Sequence, residues 1–294
     1  MLAALSGIAK AWESPFNQSK FSAAPPWLNF ESAPTVLPKL ALLNDLECYE
    51  NLPILVDNGI AENLLESIET IVNKPRRIVK LGQYDQICIG ELLNISPTSY
   101  CPHEFRDFFK AHEEGFQFFF SGFALNKMRA TLRSRYARYS NGKKKKIYLK
   151  RTRLWSYNDR NIENLDEIEN LIDQYDIEST NITGLTFAEQ ARIFMNADFI
   201  VAPTGAALAN MIFAKPGCRI IVLSASYKGA TYDYFNQIAH LLGHKLCFVI
   251  GPQIEDNRYH MNRNYVIYPS HLMEALDCEL TSVAASNDDK RRPT

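Results

Sequence analysis

Apolar and polar positions divide the chain into short, largely apolar runs separated by segments with helical periodicity. In the first half, such runs at residues 54–56, 77–81 and 86–89 predict strands, and residues 60–72 predict a helix. Short apolar runs next to periodic segments of helical length are typical of β-α repeats. The first half is therefore predicted to form a small α/β unit.

The second half repeats this alternation more regularly. Strands are predicted at residues 147–150, 199–202, 219–223 and 246–250, and helices at residues 165–174, 186–196, 206–213 and 232–242. Strands that are apolar throughout and alternate with helices favour a parallel sheet covered on both faces. This half is predicted to be Rossmann-like.

The remaining segments complete the predicted organisation. Five prolines around isolated aromatic residues predict an extended arm at the start of the chain, and a long helical stretch is predicted from Phe105 to Tyr139, with breaks at Gly115 and Gly122. The polar end of the chain is predicted to be disordered. The predicted domains are an extended arm at 1–48, an α/β domain at 49–142, a Rossmann-like domain at 143–280 and a disordered tail at 281–294.

Composition and charge give no indication of a nucleic-acid partner, a zinc site, a disulfide framework or a membrane span. The 294 residues are 46% apolar and carry a net charge of -1, so the length allows two modest cores and the charge balance gives no reason to expect nucleic acid as a partner. Six scattered cysteines without a C-x-x-C pair predict neither a zinc site nor a disulfide framework, and favour a reducing compartment such as the cytoplasm. We find neither a signal-peptide pattern nor an apolar run of roughly 18 residues that would span a membrane.

The local charge is uneven, because twelve basic residues and no acidic residue lie between Lys127 and Arg153. One interpretation is a solvated helix face followed by a linker. The other is contact with an anionic surface, either a membrane leaflet or an anionic substrate. Both interpretations remain open from the sequence.

The segment from Asp198 to Asn210 contains a buried strand, a turn of small residues and the start of a helix. Ligands of parallel sheets bind beyond the carboxyl ends of strands, and helix N-termini favour anions. Gly205 allows an unusual backbone angle, and Ala206 lets the backbone approach a ligand closely. A diphosphate would fit this turn, although tight packing of a helix on a sheet produces the same pattern. Asn210 is either a buried amide or a ligand contact.

Cationic and polar residues follow the strand predicted at residues 147–150. The guanidinium of Arg151 can hold phosphate oxygens bidentately. Arg160 and Asn164 either close over a ligand or cap the next helix. Glu189 has the spacing of a capping box with Thr186, and its carboxylate could equally hold a ribose hydroxyl.

Several known motifs are missing from the sequence. There is no D-x-D metal clamp, and neither a glycine-rich dinucleotide motif, a P-loop nor a nucleophile elbow is present. We therefore predict no metal site, and a leaving diphosphate would be neutralised by N–H groups and arginines.

Four motifs in this order resemble glycosyltransferase family 61, over roughly residues 50–280. They are Tyr148–Arg151, Arg160–Asn164, Leu185–Gln190, and Ala202–Phe213 with Pro216 and Gly217. The family includes bacterial capsular polysaccharide proteins and eukaryotic xylosyl- and N-acetylglucosaminyltransferases. The resemblance implies an α/β, GT-B-like fold, in which two Rossmann-like domains face each other across a cleft and the second binds a nucleotide sugar. It also implies transfer with inversion and without a required metal or cofactor.

Motif matching assigns a donor-binding set to this chain. It consists of Arg151, Arg160, Asn164, Glu189, Gln190, Thr204, Gly205, Ala206 and Asn210. Many family members have histidine where this chain has Thr204, and a hydroxyl can donate to phosphate but cannot carry the charge of an imidazolium. Inversion also needs a base for the acceptor hydroxyl, and the candidates are His103 and Asp85.

The leading hypothesis is transfer of a sugar from a nucleotide donor, with UDP as the expected nucleotide, to a growing capsule, lipopolysaccharide or exopolysaccharide. The acceptor would be a glycan or lipid-linked glycan at the cytoplasmic face of the inner membrane. One alternative is a catalytically inactive nucleotide- or glycan-binding scaffold. Another is a different Rossmann-type transferase, such as a methyltransferase, which the lack of a glycine-rich turn after residues 147–150 disfavours.

Overall fold

The structure is a computed structural model. It describes residues 2–4, 26–49, 51–60, 62–82, 84–100, 118–151, 160–227, 230, 232–255 and 262–289, and the statements below concern these residues. Among the described helices, none is long and apolar enough to cross a lipid bilayer.

The first half contains a four-stranded parallel sheet with the strand order β3-β2-β1-β4. Its strands are β1 (Leu2–Ala4), β2 (Ile54–Asp57), β3 (Ile78–Leu81) and β4 (Leu92–Asn94). This order is the one that begins the classic doubly wound α/β fold. Helix α1 (Pro26–Leu43) precedes β2, and helix α2 (Glu62–Ile71) connects β2 to β3.

A small antiparallel pair and a helix lead into the second half. Strand β5 (Ser99–Tyr100) pairs with β6 (Phe119–Phe120), and helix α3 (Gly122–Arg135) follows directly. Short 3-10 helices lie at Glu47–Tyr49 and Ala137–Tyr139.

The second half contains a five-stranded sheet in which all strands are parallel, in the order β11-β10-β9-β7-β8. The strands are β7 (Lys145–Lys150), β8 (Glu178–Asn181), β9 (Ala197–Pro203), β10 (Arg219–Ser226) and β11 (Lys245–Pro252). The helices are α4 (Leu165–Asp173), α5 (Phe187–Met195), α6 (Asp233–Leu241) and α7 (Pro269–Asp289), with a 3-10 helix at Ala206–Phe213. Counted within this half, the strand order is 2-1-3-4-5, as in flavodoxin-like sheets.

Two apolar cores lie on opposite faces of the second sheet. Because side chains alternate along a strand, Tyr148 of β7 packs with α4 and α7, whereas Ile147 and Leu149 face the other side. That other side is covered by α5, α6 and the 3-10 helix at Ala206–Phe213. Its core is continuous with buried residues of the first half, including Leu37 of α1 and Met128 of α3. The two halves therefore share one hydrophobic core.

The prediction of an extended arm is wrong for the described part of residues 1–48. Residues 2–4 form the strand between β2 and β4, and α1 is a regular helix. Val36, Leu37 and Leu40 are buried on one helical face, and their burial offsets the cost of the two prolines inside the helix.

Four further predictions need correction. Phe119–Phe120, predicted as part of the helical stretch from Phe105 to Tyr139, form strand β6. Residues 86–89 form no strand: their backbone pairs with no described strand, and the side chains of residues 86–88 are exposed. The next strand, β4, begins at Leu92. The tail predicted to be disordered is helical as far as Asp289, since α7 continues from Pro269 and packs through Leu280 on the core. The helix at Ala206–Phe213 is of the 3-10 type. The domain division at residues 142–143 stays a prediction.

Candidate functional site

The candidate site lies at the carboxyl edge of the second sheet, between β7 and β9. Tyr148 pairs with Val201, so three residues later the two neighbouring chains reach Arg151 and Thr204. The elements that follow these strands pack on opposite faces, α4 on one and the 3-10 helix at Ala206–Phe213 on the other. A reversal of this kind opens a crevice at the strand ends, which is where ligands of open parallel sheets bind.

Arg151 and the turn after β9 are in direct contact. The Arg151 Nη1 donates to the Thr204 carbonyl oxygen at 3.4 Å, and a Cβ added to Gly205 would lie 3.9 Å from the same nitrogen. The backbone of Gly205 is extended, with φ 163° and ψ -179°. The expected unusual backbone angle is therefore absent, and the Gly205 backbone lies close to the guanidinium of Arg151, within van der Waals reach of a Cβ.

Tyr265 completes this edge from far along the chain. Its side chain is fully buried, and its hydroxyl donates to the Leu223 carbonyl at 3.0 Å. The same carbonyl accepts the Thr204 N–H at 2.8 Å. Burial raises the pKa of Tyr265 to about 12, while the positive charges of Arg151 and Arg160 act in the opposite direction. Both guanidinium groups therefore lie near one neutral phenol.

Arg160 has a buried Nε that has no hydrogen-bond partner among the described residues. An unsatisfied buried donor on a guanidinium is costly unless a ligand or water satisfies it. The donor-binding role of Arg160 stays a prediction.

The segment that carries Tyr265 is fastened by polar contacts to residues 161–164. The Tyr265 N–H donates to the Asn161 carbonyl at 3.0 Å, and the Glu163 N–H donates to the Tyr265 carbonyl at 2.9 Å. The Asn164 amide bonds both backbone groups of Ile267, at 2.8 and 3.2 Å. Asn164 therefore holds the framework of the site. Motif reading missed Tyr265, although the apolar run at residues 265–268, directly before Pro269, was a usable signal of an extended segment.

Gln190 and Asn210 are brought together on α5 and the 3-10 helix. The Asn210 Nδ2 donates to the Gln190 Oε1 at 2.8 Å, and the Gln190 Nε2 donates to the Leu185 carbonyl at 2.9 Å. Asn210 is buried, with 9% of its surface exposed. Of its two predicted roles, the structure supports that of a buried amide, which links two elements that begin at the carboxyl edge.

Glu189 forms the expected capping box with Thr186. Its Oε2 accepts from the Thr186 N–H and hydroxyl, both at 2.9 Å, and these bonds lower the pKa of the exposed carboxyl. The carboxylate is thus occupied within its own helix.

The model of the Glycosyltransferase 61 family matches residues 35–221, which is more than half of the chain. The chain belongs to glycosyltransferase family 61. It is therefore a glycosyltransferase, and the resemblance of its motifs to this family is confirmed. A search of curated proteins finds no match.

The family 61 match includes every predicted donor residue and ends before Tyr265. Tyr265, whose hydroxyl donates to the Leu223 carbonyl at this edge, therefore lies outside the region that the family model matches.

The two candidate bases stand differently in this glycosyltransferase. His103 lies outside the described residues. Asp85 is exposed just after β3, and its Oδ2 accepts the Gly82 N–H at 2.7 Å. Sequence reasoning passed over Asp57, which ends the neighbouring strand β2 and accepts the Gly59 N–H at 2.6 Å. Both carboxylates lie at the carboxyl edge of the first sheet.

Most described members of the basic stretch have partners within the enzyme. Arg129, Arg133 and Arg135 donate to backbone carbonyls. Lys127, Lys145 and Lys150 pair with carboxylates. Lys143 and Lys144 are exposed in the loop before β7.

The part of the enzyme that the structure describes contains no group of three or more histidine, cysteine or acidic residues that could hold a metal ion. Metal independence stays a prediction.

Proposed function

We propose that this glycosyltransferase moves a sugar from a nucleotide donor, with UDP as the nucleotide, to a glycan acceptor, with inversion and without a metal. The observation that carries the proposal is the meeting of Arg151 with the turn at Thr204 and Gly205, at the strand-order reversal between β7 and β9. A donor diphosphate placed there would lie beside one guanidinium, with a second at Arg160.

The proposed arrangement is GT-B-like, with the carboxyl edges of the two parallel sheets lining a common cleft. The strand orders of both sheets support this, since each is the order of a doubly wound unit. The first half would then offer acceptor contacts from the loops after β2 and β3, where Asp57 and Asp85 lie.

The chemistry is a single displacement. The acceptor oxygen forms a bond to the anomeric carbon as the bond from that carbon to the diphosphate oxygen breaks, and a base removes the acceptor proton. Arg151, Arg160 and the Thr204 hydroxyl would stabilise the charge on the leaving diphosphate. Asp85 or His103 would take the proton.

A thermal-shift titration with UDP, GDP, CMP and S-adenosylmethionine, each with magnesium or with EDTA, tests the donor site. A ligand at 100 times its dissociation constant adds about 2.7 kcal/mol to stability. We expect UDP to stabilise the protein equally in EDTA. Stabilisation only with magnesium would contradict metal independence, and stabilisation by S-adenosylmethionine alone would replace the donor class. UDP binding without turnover of any UDP-sugar would indicate an inactive binding protein.

Stereochemistry tests the mechanism. Proton NMR of the first product formed from an α-linked UDP-sugar should show a β linkage. An α-linked product would contradict inversion.

We further propose that the acceptor belongs to a capsule, lipopolysaccharide or exopolysaccharide and is used at the cytoplasmic face of the inner membrane. Because most other described cations of the basic stretch are paired, contact with anionic lipid would fall to the exposed loop at Lys143 and Lys144. Flotation with anionic vesicles should recover the parent protein and recover less of the K143E/K144E variant. Equal recovery of both, or equal binding to zwitterionic vesicles, would contradict the membrane contact.

A further inference from the structure

Glu66, on α2 of the first half, binds the first turn of α5 in the second half. Its Oε2 accepts the Phe187 N–H at 2.9 Å, and its Oε1 accepts the Ala188 N–H at 3.0 Å. One carboxylate thus bridges two successive backbone donors that lie more than 120 positions away in the sequence.

This contact completes the N-terminus of α5. The first N–H groups of a helix have no partner within it, and a capping box satisfies only the third. In α5 the Thr186 hydroxyl accepts the Glu189 N–H at 3.2 Å, so the first and second N–H groups depend on Glu66. A negative charge at this end is also favoured by the helix dipole.

Helix α5 is in turn linked to the donor turn. Gln190, one turn beyond the Glu66 contact, binds Asn210 in the 3-10 helix. That helix begins directly after Gly205, whose carbonyl accepts the Leu208 N–H at 3.1 Å. A continuous series of hydrogen bonds and helical backbone therefore runs from Glu66 to the residues beside Arg151.

We propose that Glu66 is a positioning residue of the donor pocket. Its carboxylate ties α5 to the first half, and thereby fixes Gln190, Asn210 and the turn at Gly205 in the geometry that binds the diphosphate. Glu66 does not touch the donor. This inference rests on the proposed function, because it assumes that the donor binds beside that turn.

The test uses Glu66→Gln and Glu66→Asp in the full chain, with Glu69→Gln as the control. Glu69 is exposed on the same helix and undergoes the same change of charge, and its side chain makes no hydrogen bond or ion pair with the described residues of α5. An amide offers one acceptor oxygen and no charge, so E66Q should weaken UDP binding about tenfold. E66D retains the charge, so its dissociation constant for UDP should lie between those of E66Q and the parent. E69Q should match the parent.

Isothermal titration calorimetry separates positioning from loss of folded protein. A positioning residue changes the dissociation constant of UDP while about one mole still binds per mole of protein. If E66Q merely unfolds part of the sample, the stoichiometry falls and the dissociation constant stays that of the parent. That result would overturn the proposal.

Hydrogen exchange supplies a measurement that does not depend on UDP. In E66Q, amides of residues 206–210 should exchange faster than in the parent, together with Phe187 and Ala188, while residues 219–223 of β10 remain unchanged. Faster exchange confined to α5 would overturn the coupling. If the parent binds no UDP, the proposed function fails, and the exchange data still decide whether Glu66 is coupled to the turn.

Discussion

Arg151 is the residue on which the proposed donor site depends most. Its guanidinium contacts the Thr204 carbonyl and lies next to Gly205. Removing it should cost one or two charge-assisted hydrogen bonds, so we expect Arg151→Ala to raise the dissociation constant of UDP about 10- to 100-fold. The dissociation constant of UDP for Arg151→Lys should lie between those of the parent and Arg151→Ala, because an ammonium keeps the charge and loses the bidentate geometry. Isothermal titration calorimetry measures both.

Lys143→Ala is the control for this prediction, since it removes an exposed cation at the amino end of β7. It should bind UDP as the parent does. If Arg151→Ala also binds UDP as tightly as the parent, the diphosphate lies elsewhere.

At the scale of elements, the site requires that β11 lie directly against the segment carrying Tyr265. A Cβ added to Gly251 would lie 1.7 Å from the Val266 carbonyl oxygen and 2.8 Å from its carbon. Gly251→Ala must therefore push the two backbones apart. We expect a loss of about 1–3 kcal/mol in the free energy of unfolding, measured by urea denaturation. UDP binding should also weaken, because the Tyr265 hydroxyl would move away from the Leu223 carbonyl, which also accepts the Thr204 N–H.

Gly90→Ala is the matched control, because a Cβ there would have no atom within 4 Å. It should leave stability and UDP binding unchanged. Parental stability in Gly251→Ala would show that the close contact relaxes freely, and would argue against a rigid Tyr265 segment.

Sequence patterns predicted those elements whose burial is visible in local composition. Strands β7, β9 and β10 were predicted within a few residues of their ends, because central parallel strands are largely apolar. Strand β11 lies at an edge of the sheet and was predicted because residues 246–250 are apolar. Strand β8 was missed because Glu178–Asn181 is polar, as an edge strand can be. Helix α1 was missed because its prolines locally disfavour a helix, whereas its buried side chains stabilise one.

Some contacts of the candidate site could likewise be predicted from local sequence, and others could not. Proximity of Arg151 to the turn after β9 could be predicted, because both follow parallel strands and such ends meet at one edge. Glu66 and Tyr265 could not, since each reaches the site through tertiary packing across about 40 to 120 positions of sequence. No local pattern encodes such contacts.

At the scale of the whole molecule, α3 joins the two halves through buried arginine. Arg129 is 7% exposed and donates to the Leu242 carbonyl at 2.6 Å and the Ala214 carbonyl at 2.7 Å. Arg129→Met keeps an apolar stem and leaves both carbonyls without this donor. We expect a loss of about 2–4 kcal/mol in the free energy of unfolding in urea. Lys127→Ala, which removes a largely exposed ion pair with Asp45, should cost less than about 1 kcal/mol. Equal losses in the two variants would contradict a special role for the buried contact.

The same junction makes stability depend on pH through His244. This ring is 8% exposed and its Nε2 lies 3.0 Å from the Met211 carbonyl oxygen. Burial, and then the charge of Arg129, lower its pKa from 6.5 to about 4. Above pH 6.5 the ring is neutral in both states and its contribution is complete. Between pH 6.5 and 4 only the unfolded chain takes up the proton, so stability should fall by up to about 3 kcal/mol as pH decreases.

His244→Gln should lose less stability over this range, measured by urea unfolding at each pH. Arg129→Met should narrow the pH range over which stability falls, because loss of the Arg129 charge raises the pKa of His244 in the folded protein. An NMR titration of the folded parent that places the ring near 6.5 would refute this account.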